Sequence, residues 1–131
     1  VGLWIFTTVQ LTMAAAATAS GSSPLSIHVL NTGGGIPAIK MDVSLHRLSS
    51  ELIIWNILTD ENGCCLGMIN REDFTPGMYK VRFETSSYWE SLCLTSIHPY
   101  IEVVFTIRRP EQRLHLNLLI SGTSYYTYIE S

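Results

Sequence analysis

From Pro24 onward, apolar and polar residues alternate in short runs separated by turn residues. In LSIHVLN, residues 25–31, Leu25, Ile27 and Val29 fall on one side and Ser26, His28 and Leu30 on the other. A period of two marks a strand buried on one face. Residues 41–48 repeat it, with Met41, Val43, Leu45 and Arg47 opposing Asp42, Ser44, His46 and Leu48. So do residues 78–84, where Tyr79, Val81 and Phe83 oppose Lys80, Arg82 and Glu84. Residues 52–58 form an apolar run, and 101–107 is rich in β-branched and aromatic side chains, as strands are. Residues 113–120 and 124–129, joined through Ser121-Gly122-Thr123, supply two more strands. One helix interrupts the series: Ser87 and Glu90 have capping-box spacing and open about two turns around Tyr88, Trp89 and Leu92.

Gly33-Gly34-Gly35 with Pro37 breaks the first strand, and Asp60-Glu61-Asn62-Gly63 is a turn in which both Asn62 and Gly63 tolerate positive φ. About seven strands and one short helix make an all-β, two-sheet sandwich the expected fold. Parallel α/β architecture is excluded by the lack of further helices, and no repeat of solenoid length is visible.

Composition narrows the function. The chain has 131 residues, enough for one domain with a sizeable core, and 47% are hydrophobic against 15% charged, which is a folded composition. A formal charge of −3, with eight scattered Lys and Arg, excludes a nucleic-acid footprint. Three cysteines, Cys64 and Cys65 adjacent and Cys93 apart, give neither a disulfide framework nor zinc-ligand spacing, and suit a reducing compartment. The expected location is cytoplasmic or peroxisomal, and no membrane partner is expected. Residues 1–23 are expected to be a disordered arm or sequence upstream of a true start at Met13, because the apolar run 1–12 has no basic n-region and is too short to span a bilayer. The domain proper is 24–131.

Three segments carry a resemblance: SPLSIHVLNT near the start, the block from Gly77 to Ile107 with its YW-bearing helix and PYIEVVFTI strand, and the tail LHLNLLISGTSYYTYIES. Together they resemble the transthyretin family, which comprises a hormone carrier and the enzyme 5-hydroxyisourate hydrolase. The resemblance implies a Greek-key sandwich of eight strands assembling as a homotetramer, a dimer of dimers. His28 sits where the hydrolases carry a catalytic histidine and the carriers a lysine. His115 matches a second hydrolase histidine, and Tyr128-Ile129-Glu130-Ser131 aligns with the hydrolases' terminal Tyr-Arg-Gly-Ser. These matches imply an enzyme of purine (urate) degradation, opening the cyclic amide of 5-hydroxyisourate to 2-oxo-4-hydroxy-4-carboxy-5-ureidoimidazoline. His28, His115 and Ser131 are the implied catalytic residues and Tyr128 and Cys64 the implied substrate contacts. The small-molecule substrate is the implied partner, with no metal or organic cofactor.

The chemistry suits the residues. A histidine near its ordinary pKa of ~6.5 takes a proton from water at neutral pH, and a second imidazole, with a hydroxyl or the terminal carboxylate, orients that water or protonates the leaving nitrogen. On residue type alone, a lone histidine on a strand is more often a bland surface or core group, as His46 and His98 are read here. Departures from the family pattern bear on turnover. Cys64 stands where the family has the arginine of an Asp-Gly-Arg turn, Ile129-Glu130 replaces Arg-Gly, Asn117 replaces proline, and the segment between Trp55 and Gly63 is several residues shorter. Loss of one such donor costs about 10²–10³ in rate. The alternatives are therefore a catalytically decayed family member or a carrier of small aromatic ligands.

Overall fold

The computed structural model describes residues 23–50, 52–66, 69–109 and 111–131. Nine strands and one helix occur in chain order among them: β1 (Leu25–Asn31), β2 (Ile36–Pro37), β3 (Asp42–Arg47), β4 (Ile53–Leu58), β5 (Cys64–Cys65), β6 (Gly77–Phe83), α1 (Thr85–Ser91), β7 (Ile101–Ile107), β8 (Leu114–Ile120) and β9 (Tyr125–Glu130). They form two sheets. One runs β2-β1-β8-β9 with β5 also on β1, and the other runs β4-β3-β6-β7. Pairing is antiparallel except between β1 and β8, which run parallel with Ser26 opposite His115 and His28 opposite Asn117.

The sandwich forms because each sheet offers one apolar face. Leu25, Ile27, Val29, Leu114, Leu116, Leu118 and Ile120 from the first sheet meet Val43, Leu45, Tyr79, Val81, Phe83, Phe105 and Ile107 from the second. Phe74, Tyr79 and Phe105 pack ring on ring at the end of this core, with centroids 4.9 to 6.4 Å apart. The expected strands at 25–31, 41–48 and 78–84 are present, but β1 is buried on both faces, Ser26, His28 and Leu30 included, so only the last two keep a more exposed row. Residues 52–58 behave differently: β4 is an edge strand, so Ile54 and Ile57 reach the core while Ile53, Trp55 and Leu58 stay exposed. Two strands escaped the pattern, β2 and β5, each two residues long and each paired to β1. Nine segments thus stand, among the described residues, where the resemblance implied eight strands.

The helix departs from its expected start. It begins at Thr85, with Glu84 at the N-cap and no side-chain cap bond, so Ser87 lies inside it and no capping box forms. Neighbouring carbonyls replace the cap. The Glu84 N–H donates to Asp42 (3.0 Å), that of Ser86 to Pro99 (3.3 Å), and the Thr85 hydroxyl to His98 (3.4 Å). Tyr88 and Trp89 are buried, and the Tyr88 hydroxyl accepts from Asn31 Nδ2 at 3.1 Å, which ties the helix to the end of β1. The expected N-terminal arm lies outside the described residues except Ser23, whose hydroxyl donates to the Leu25 carbonyl at 2.9 Å. Among the described residues no helix is long and apolar enough to cross a membrane.

Candidate active site

The candidate residues lie on the face of the β1 sheet that turns away from the core. Register places them there: Leu25, Ile27 and Val29 point inward, so Ser26, His28 and Leu30 point outward. On β8 the outward set is His115, Asn117 and Leu119, and on β9 it is Tyr126, Tyr128 and Glu130, opposite Leu119, Asn117 and His115 respectively. Cys64, opposite His28, joins the same face while Cys65 enters the core. His28, His115, Cys64 and Tyr128 are therefore brought together. Ser131 follows β9 and is exposed, and among the described residues no hydrogen bond joins it to either imidazole.

The turn between β4 and β5 builds the surroundings of His28. Asp60 folds it as an Asx turn, its Oδ1 accepting from the N–H groups of Asn62 (2.8 Å) and Cys64 (3.0 Å). Gly63 adopts φ +74, the left-handed region, whereas Asn62 does not share that region as its residue type allowed. The Gly63 carbonyl accepts from the Val29 N–H at 2.8 Å, pinning the turn to β1. The Asn62 carbonyl faces the His28 ring closely enough to favour its charged form. The His28 Nδ1 is buried and has no hydrogen-bond partner. Burial lowers the His28 pKa, opposed by the Asn62 carbonyl and the Asp60 carboxylate. A ring kept neutral by burial, with one nitrogen unpartnered, is suited to taking a proton.

His115 is half-buried, and its Nδ1 lies 2.5 Å from Ser26 Oγ. Ser26 is buried and aligned with His115 in register, so the hydroxyl orients the second ring. Sequence reasoning missed Ser26 as a site residue although the period of two already set it beside His28. It missed the Asn62 carbonyl because a backbone acceptor leaves no trace in residue type.

Cys64 is buried, its thiol raised to about 11 by burial and then by Asp60, and Sγ donates to the Asn62 carbonyl at 3.7 Å. It is neither a nucleophile at neutral pH nor a cation. Burial, Glu130 and Tyr126 raise the Tyr128 hydroxyl pKa, keeping it protonated. The strand positions of this face carry no lysine or arginine, and Glu130 adds a negative charge opposite His115. Among the described residues no three His, Cys, Asp or Glu side chains cluster closely enough to hold a metal ion.

A profile of the HIUase/transthyretin family matches residues 25–129. The mouse protein named 5-hydroxyisourate hydrolase is 41% identical over 114 residues, spanning 84% of this chain and 97% of the relative. Transthyretin of Aquarana catesbeiana is 34% identical over 111 residues, spanning 82% and 71%. Among solved structures, 5-hydroxyisourate hydrolase of Klebsiella pneumoniae superposes with a TM-score of 0.73 at 27% identity, covering 83% of this chain and 94% of that one. With its two-sheet sandwich, its single short helix and this match over nearly the whole described domain, the chain belongs to the HIUase/transthyretin family.

Proposed function

We propose that this protein is a 5-hydroxyisourate hydrolase. The observation that carries the reading is the placement of two imidazoles on one sheet face, His28 on β1 and His115 on the neighbouring β8, the first buried with an unpartnered Nδ1. His28 Nδ1 takes a proton from water as its oxygen bonds to a ring carbonyl carbon of the substrate. The tetrahedral centre then breaks its carbon–nitrogen bond, and the leaving nitrogen receives a proton from His115, oriented by Ser26. The Tyr128 hydroxyl faces the same space as a neutral donor. Ser131 completes the set from the chain end. The same face lines the space between subunits when the sandwich assembles as a homotetramer.

Cys64 and Glu130 set the expected rate. With no guanidinium on the strand positions of this face, transition-state charge has only neutral donors, so turnover is slow by about 10²–10³ per missing donor. Decay of freshly generated 5-hydroxyisourate, followed by ultraviolet absorbance at high protein concentration, tests the reading. Decay faster than in buffer, and abolished in His28→Gln and His115→Gln, is expected. Decay no faster than in buffer rejects catalysis and leaves a decayed member of the family, the reading that the acidic, guanidinium-free face favours.

A further inference from the structure

Asn117 lies at the centre of the site face, in register with His28 on one side and Tyr128 on the other. Its side chain is completely buried, and neither its Oδ1 nor its Nδ2 has a hydrogen-bond partner. Native proteins keep few such groups, because an unpaired buried amide is destabilising and is tolerated where something else is gained. The adjacent His28 Nδ1 is unpartnered too. Three unmet polar atoms thus stand side by side on neighbouring strands, beside the apolar cluster of Leu30, Leu119 and Tyr128.

A carboxamide offers one acceptor and one donor in a plane. Its complement is a planar ring that presents an N–H next to a C=O along one edge, the edge of a cyclic ureide. We infer that Asn117 is the specificity-determining residue of the site, Oδ1 accepting a ring N–H of the substrate while Nδ2 donates to the neighbouring ring carbonyl. This rests on the hydrolase reading for its substrate class. The contact holds the ring against the Leu30–Leu119–Tyr128 wall and leaves His28 Nδ1 free for water. It supplies by shape and hydrogen bonding the recognition that no cation on this face supplies by charge.

Urate is a stable cyclic ureide, and tetramethylurate is a similar ring in which every N–H is blocked. Equilibrium binding of both to the wild-type protein and to Asn117→Leu tests the inference, alongside turnover and thermal midpoints. The wild type should bind urate at least about 10-fold more tightly than tetramethylurate. Asn117→Leu should bind the two within about twofold, lose about 10²-fold in kcat/KM, and melt no lower than wild type because an unpaired amide has been removed. Asn117→Ala, which lacks both the acceptor and the donor, serves if the leucine variant does not fold, and should lose the same preference. A preference that survives in the variant, or a wild type that binds both rings alike or neither, overturns the inference. Absent wild-type turnover with an intact, Asn117-dependent urate preference rejects the hydrolase reading alone.

Discussion

Gly63 supports the site, and replacing it with alanine separates two costs that the structure shows apart. Gly63 and Gly35 both have left-handed φ, +74 and +65. A Cβ at Gly35 meets nothing within 4 Å, whereas one at Gly63 runs into the Val29 carbonyl oxygen and comes within 3.2 Å of the Ala38 nitrogen. Gly35→Ala therefore isolates the conformational cost, about 1–2 kcal/mol. Gly63→Ala adds the disruption of two backbone bonds, Val29 N–H to Gly63 (2.8 Å) and Ala38 N–H to Val29 (3.0 Å). Each is worth about 0.5–1.5 kcal/mol when exchanged for water and about 1–3 when a buried group is left unpaired. The expected difference between the variants is thus about 2–4 kcal/mol, a large share of a typical stability of about 5–15. Urea unfolding of both, with unchanged m-values, measures it. Because the same turn presents the Asn62 carbonyl to His28, Gly63→Ala should also reduce whatever hydrolysis the wild type shows, and Gly35→Ala should not. Equal stabilities within 0.5 kcal/mol (~0.5 being the usual scatter between independent sites) would refute the account of the turn.

Stability should fall as pH drops from about 6.5 towards 5. The folded His28 pKa is lowered by burial, and that of His46 by burial and Lys80, so the unfolded chain takes up protons first. The contribution is present in full above the unfolded value and is lost as pH falls through the folded one. Urea midpoints measured across that range should decline, His28→Gln should flatten the decline, and a flat wild-type profile would contradict it. Thiol labelling offers another check. Cys93 is exposed, while Cys64 and Cys65 are buried with thiols pushed up to about 11 and about 12. Ellman's reagent at pH 7.5 should titrate one thiol rapidly in the folded protein and the other two only in denaturant. Finally, the double substitution Cys64→Arg with Glu130→Gly, both on the site face, should raise kcat/KM by about 10²-fold or more, at some cost in stability from burying the new guanidinium at 64. Wild-type turnover equal to that of the double variant would show that the face needs no cation.

Much of the fold could be read from alternation because each strand turns an apolar row to the core, so strand and inward side were decided together at 25–31, 41–48 and 78–84, although the pattern did not show that β1 is buried on its other face as well. The pattern failed where neighbours supply the missing information. An edge strand such as β4 needs no polar outer row to be a strand, two-residue segments such as β2 and β5 are too short to show a period, and the helix start moved because the carbonyls of Asp42 and Pro99 took the place of a cap.

For the site, local order along the chain settled which residue types were present and, through the period of two, that Ser26 shares a face with His28. Only the tertiary structure decided what those residues do to one another. The parallel pairing of β1 with β8 sets Ser26 against His115, 89 positions away, and Asn117 against His28. The Asx turn brings a backbone carbonyl up to the His28 ring, whose Nδ1 stays without a partner. Proton position, burial and unmet hydrogen bonds are properties of the space between segments, and a linear order of side chains does not contain that space.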